Sequence, residues 1–207
     1  PRGRDPFTVT TELGDAPWAP GRKLVLIGLQ SRRIEMRDLP PNNLVFLLDV
    51  SGSMADADKL PLVKQSLALL AAQLRPEDRV SIVVYAGASG LVLDGAAGDR
   101  KAEVLGALER LQAGGSTNGG AGIQLAYDVA SRHFVEGGVN RVVLCTDGDW
   151  NVGLQSREQL DALISQKAVG NVFLSVLGFG MSSYRDGTLE RLADRGNGHY
   201  AYVDTLA

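Results

Sequence analysis

From residue 43 onward the chain alternates short, continuously apolar runs with stretches whose apolar residues recur at helical spacing, and this alternation restricts the fold more than any other feature. The run "NLVFLLD" (43–49) precedes a segment in which Leu60, Val63, Leu67, Leu70 and Leu74 share one helical face. "RVSIVVYA" and "GLVLDG" follow, close enough to pair as a hairpin. Val104, Leu108 and Leu111 mark a second helix, and Ile123, Tyr127, Ala130 and Phe134 a third. After the run "RVVLCTD", Ser156 and Gln159 form a capping-box start for a helix carrying Leu160, Leu163 and Ile164. "NVFLSVLGFG", a short helix through Leu189 and Leu192, and "HYAYVD" complete the series. Strands apolar at every position are covered on both faces, so the pattern predicts α/β architecture: a doubly wound, mainly parallel six-stranded sheet flanked by helices.

The first forty residues depart from this pattern. "FTVTTEL" and "KLVLIGLQ" read as two strands joined by the loop "GDAPWAPGR", which predicts an N-terminal β-hairpin extension with its connector over 1–40 and the main domain over 41–207. With 207 residues, 44% of them hydrophobic and 22% charged, the chain suits one ordinary domain with a small appendage. No apolar run reaches the length of a membrane span, so this fragment is expected to lack one. A net charge of -3 with no Lys/Arg cluster among aromatics argues against nucleic acid as a partner. Cys145, alone within an apolar run, is expected to be an inert core thiol.

In doubly wound sheets ligands bind beyond the carboxyl ends of the strands, where strand order reverses. Two apolar runs here end in aspartate, Asp49 and Asp147, and each is followed by glycine and small polar residues with no base nearby in sequence. A buried carboxylate without a partner is costly, and a cation would remove the cost. Ser51 and Ser53 add hydroxyls to Asp49 if the chain turns sharply, a turn that Gly52 would permit. Hard oxygen donors suit Mg2+, Mn2+ or Ca2+, whereas the thiol and imidazole ligands of a zinc site are missing: Cys145 is isolated, and His133 and His199 lie far apart. The plainer alternative is a loop whose hydroxyls only cap a helix N-terminus.

"DVSGSM", "GGSTNGGAGI" and "CTDGDWNVG", in that order, resemble the elements of the metal-ion-dependent adhesion site (MIDAS) of von Willebrand factor type A (VWA) domains. The resemblance covers residues 43 to 205. It implies a Rossmann-like fold with strand order 3-2-1-4-5-6, and a divalent ion held by Asp49, Ser51, Ser53, Thr117 and Asp147. It also implies a protein-binding module without catalytic residues, whose metal takes an acidic side chain from a partner protein. Trp150 and Met54, beside the metal loops, are candidate partner contacts. The N-terminal piece and the wording "TDGDWNVG" resemble a bacterial, envelope-associated subgroup, which implies an extracytoplasmic or envelope location. A metal-dependent phosphohydrolase with Asp49 as nucleophile is the competing enzyme reading, although Ser51 stands where such enzymes place a second carboxylate. A third reading is a purely structural metal.

Overall fold

The computed structural model describes residues 5–31, 38–86, 90–115, 119–148, 157–180 and 186–205. These residues divide into two compact units, 1–39 and 40–207. The first is a two-stranded antiparallel hairpin of β1 (Phe7–Asp15) and β2 (Lys23–Ser31), in register from Phe7 opposite Ser31 to Asp15 opposite Lys23. The last pair is tied by an ion pair between Lys23 and Asp15. Strand alternation and this register place Phe7, Val9, Leu13, Val25, Ile27 and Leu29 on one face, and all six are more than half exposed.

The second unit is the expected sheet. In chain order it contains β3 (Asn42–Asp49), α1 (Leu60–Gln73), β4 (Arg79–Tyr85), β5 (Gly90–Ala97), α2 (Lys101–Glu109) and α3 (Gly119–Arg132). β6 (Val139–Thr146), α4 (Arg157–Val169), β7 (Val172–Phe179), α5 (Asp186–Arg195) and β8 (Tyr200–Val203) follow. The spatial order is β5-β4-β3-β6-β7-β8. All pairings are parallel except the edge hairpin of β4 and β5. Counting from β3, this is the order 3-2-1-4-5-6, with the reversal between β3 and β6.

The pleat of β3 sorts its apolar run between two cores. Val45 and Leu47 join Val142, Leu144, Ile123, Tyr127, Leu160, Ile164 and Leu192 on the face covered by α3, α4 and α5. Phe46 and Leu48 join Val143, Cys145, Val63, Leu67, Val104 and Leu108 on the face covered by α1 and α2. Covering both faces explains why β3, β6 and β7 read as unbroken apolar runs. Cys145 is fully buried, and burial pushes its thiol up to about 12, as expected of an inert core residue.

At the end of the sheet where β3 begins, Asp78 is nearly buried and fully paired. It accepts hydrogen bonds from the Asn42 backbone and side-chain amides at 2.9 Å each. The Arg75 amide donates at 2.8 Å, and its guanidinium at 3.2 and 2.9 Å. Burial opposes the Asp78 charge, but the bonds from Arg75 and Asn42 outweigh it and hold the carboxyl at about 2.

Candidate metal centre

The opposite end of β3 carries Asp49, whose neighbours are set by strand register. Asp49 lies opposite Tyr85 on β4, and Leu48 opposite Cys145 on β6, so Thr146 occupies the next rung on the other side. Tyr85 Oη donates to Asp49 Oδ2 at 3.0 Å, and Thr146 Oγ1 donates to the same oxygen at 3.2 Å. The Ser51 amide donates to Asp49 Oδ1 at 2.9 Å. Asp49 has no exposed surface. Burial raises its carboxyl above the usual range, the bonds from Ser51 and Tyr85 act against this, and the charge of Asp147 adds to the rise. Among the described residues no cationic side chain pairs with it.

Tyr85 is seated by the close approach of α3. A Cβ at Gly122 would lie 2.7 Å from Tyr85 Cβ and 3.3 Å from Leu47 Cδ1, so the helix rests on the sheet only because that position is glycine. Burial, and then the Asp49 charge, push the Tyr85 hydroxyl well above its usual range, so it remains a donor.

Beyond Asp49 the Val50 amide bonds to the Tyr85 carbonyl at 3.3 Å, and the chain then enters a 3-10 turn, Gly52–Ala55. This turn brings Ser51 Oγ and Ser53 Oγ to 3.0 Å from one another. Gly52 permits the turn, as the sequence suggested, but the turn does not require it: Gly52 has no positive φ and no atom within 4 Å of a built Cβ. Met54 is fully buried among Val50, Leu60 and Phe179, because the turn rolls it inward against α1. It therefore presents nothing to a partner, contrary to the expectation drawn from its place beside Ser53.

The glycine-rich loop is bonded to this turn. Gly114 N–H donates to the Val50 carbonyl at 2.7 Å, and Gly52 N–H donates to the Gly115 carbonyl at 3.4 Å. Thr117 stands two residues past that clamp and two before α3 starts; it lies outside the described residues, as does Trp150. Asp147 directly follows β6, and its side chain is 4% exposed.

The sequence suggested that neither aspartate has a base nearby, and for Asp147 the fold overturns this. Lys59, 88 residues away in sequence, donates from Nζ to Asp147 Oδ2 at 3.1 Å. The same ammonium donates to the Ser53 carbonyl at 2.8 Å and lies 3.6 Å from the exposed Asp56. Burial works against the Lys59 charge, but the bond to Asp147 and the charges of Asp147 and Asp56 keep its pKa above the usual lysine value.

Tyr85, Thr146 and Lys59 are the site residues that sequence reading missed. The signal for two of them is register: each ends a strand flanking β3 at the level of Asp49. What converges is an all-oxygen donor set, with Asp49, Ser51 and Ser53 on one loop and Asp147 beside them. No group of three or more His, Cys, Asp or Glu side chains forms a metal site among the described residues. Carboxylate and hydroxyl oxygens match a hard divalent ion in donor chemistry.

Comparison with known proteins gives the same frame. The chain is 44% identical over 202 residues to the Escherichia coli K12 protein YfbK, a match covering 98% of this chain and 35% of that protein. Thus it spans about a third of the length of this curated relative. Its fold is similar to that of an aerotolerance-related membrane protein of Bacteroides fragilis (TM-score 0.63, 22% identity, 79% of this chain and 92% of the other). It is also similar to proximal thread matrix protein 1 of the mussel byssus, solved with a zinc-occupied MIDAS motif (TM-score 0.61, 18% identity, 80% and 42%). The family profile for the von Willebrand factor type A domain matches residues 43–207, and with that match over most of its length the chain belongs to the von Willebrand factor type A domain family.

Proposed function

We propose that residues 43–207 form a metal-dependent protein-binding module. In this reading Asp49, Ser51, Ser53, Thr117 and Asp147 hold one divalent ion, Mg2+ with Mn2+ or Ca2+ as alternatives. The ion takes a carboxylate from an acidic side chain of a partner protein. The observation that carries the reading is the buried Asp49 carboxylate, which has hydroxyl and amide donors around it and no cationic partner among the described residues. The ion would supply that missing positive charge and a Lewis-acidic position for an oxygen from outside. The chain's own residues do the rest: Tyr85, Thr146 and the Ser51 amide fix the orientation of Asp49, and the clamp between Gly52 and Gly115 keeps the glycine-rich loop at the site.

Family membership and a fold shared with a zinc-holding MIDAS protein support this assignment. An envelope location accords with the likeness to the Bacteroides membrane protein. Against Asp49 as a nucleophile stands Ser51, a hydroxyl in the place where aspartyl phosphohydrolases carry a second carboxylate. Trp150 is the proposed aromatic contact for the partner.

Calorimetry with Mg2+, Mn2+ and Ca2+ tests the ion, with one site per chain expected; no binding by any of them at millimolar concentration would remove the premise. Affinity capture from envelope fractions with Mg2+ and again with a chelator tests the partner. Thr117→Ala is expected to weaken partner binding more than metal binding, because water or Asp147 can replace one hydroxyl on the ion. An equal proportional loss of both would argue against a special role for Thr117 in partner capture.

A further inference from the structure

Lys59 has a place in the metal centre that neither the motif nor the family match assigns. Its Nζ bridges both halves of the site, bonding Asp147 Oδ2 at 3.1 Å and the Ser53 carbonyl at 2.8 Å, and its side chain is 13% exposed. The stem is held as well as the head. Gly180, which follows β7 with φ +87°, passes so close that a Cβ there would lie 2.8 Å from Lys59 Cε. A side chain at 180 would collide with the lysine stem, and glycine leaves the slot open.

We propose that Lys59 is a built-in counter-ion that weakens the resting affinity of the centre for a divalent cation and makes the loaded centre select a carboxylate. The inference rests on the metal-binding reading above. Among the described residues, Asp49, Asp147 and Lys59 sum to one negative charge at the centre, with exposed Asp56 lying at its rim. A divalent ion turns that sum to one positive charge, which a carboxylate from outside neutralises. Without Lys59 the ion alone would neutralise the two aspartates, and an added carboxylate would leave the centre negative. One lysine thus moves binding energy from the ion alone to the ion and carboxylate together, a coupling that each ligand must exert on the other. Lys59 acts through Asp147 and is a positioning residue.

The test uses Mn2+ as the metal probe and acetate as the carboxylate. Lys59→Met keeps an unbranched stem without the charge, and Lys59→Arg keeps the charge. Titration calorimetry should show Lys59→Met binding Mn2+ about tenfold more tightly than wild type, the scale of one unit charge acting over several ångströms at a protein surface. Lys59→Arg should stay within about threefold of wild type on the same scale. Acetate at a fixed concentration should tighten Mn2+ binding in wild type and do so less in Lys59→Met. A purely structural lysine predicts the reverse, with lower thermal stability and unchanged or weaker Mn2+ binding in a variant whose near-ultraviolet dichroism stays native. That result overturns the proposal while the metal site stands. If neither wild type nor Lys59→Met binds Mn2+, both readings fall together. If Lys59→Met fails to fold under any condition, Lys59→Gln decides by the same affinity criterion.

Discussion

Two buried aspartates bracket the centre of the sheet and are treated in opposite ways. Asp78, at the end where β3 begins, is built with its cation: Arg75 wraps it, Asn42 completes its bonds, and its carboxyl is held at about 2. Asp49, at the other end of β3, receives only neutral donors, and burial raises its carboxyl. Both side chains are cut off from the surface, at 3% and 0% exposure, and what differs most visibly is the partners each is given. Among the described residues the chain supplies a guanidinium at one end of its central strand and none at the other, a contrast that accords with a structural role for Asp78 and with the metal-binding role proposed for Asp49.

The contrast can be broken from either side. Arg75→Ala should have the largest effect, because it takes the guanidinium from a buried carboxylate and leaves it only neutral amide donors; a clearly lower midpoint in urea denaturation is expected, with metal affinity unchanged. Asp49→Asn should remain within about 1 kcal/mol of wild type in chelator, since hydroxyls can turn to meet an amide. It should, however, lose the roughly 2.7 kcal/mol that a site-bound ion at a hundred times its Kd gives the wild type, read as a missing metal-induced rise in Tm. A comparable metal-induced rise in the variant would dissolve the distinction between the two aspartates.

Acid sharpens the comparison. Below the usual carboxylate value of 3.8 the unfolded chain takes up a proton that native Asp78 refuses until about 2, so stability present above that window is lost as pH falls through it. Wild type should therefore lose about 2 kcal/mol over this range relative to Asp78→Asn, measured by denaturation at stepped pH. The smallest effect belongs to Tyr85→Phe, which removes one neutral donor from Asp49 and should cost about 1 kcal/mol in chelator and less with metal bound.

The fold was legible because a sheet covered on both faces writes itself as apolar runs, as in "NLVFLLD" and "RVVLCTD". The local part of the site was legible for a related reason: Asp49, Ser51 and Ser53 occupy one loop, and their spacing survives in the sequence. Tyr85 and Thr146 were not, because a hydroxyl at the end of an apolar strand looks like one more core residue until register sets it beside Asp49. Lys59 was hidden by distance, its partner lying across the reversal of strand order. Met54 misled because "SGSM" reads as an exposed loop, whereas a 3-10 turn returns its last side chain to the core.

The rung that joins Tyr85, Asp49 and Thr146 also orders events in time. Its outer members lie 36 and 97 residues from Asp49 along the chain, so the rung exists only after β4 and β6 have docked on both sides of β3. The nascent chain has the Asp49 loop early but lacks the hydroxyls that orient its carboxylate. An ion captured there arrives after the slow, non-local steps of folding and cannot hasten them. Its influence falls on the reverse reaction, slowing escape from the native state. On the proposed reading, metal in this centre would act as a latch on a finished sheet, in contrast to small metal domains in which the ion gathers the chain around itself.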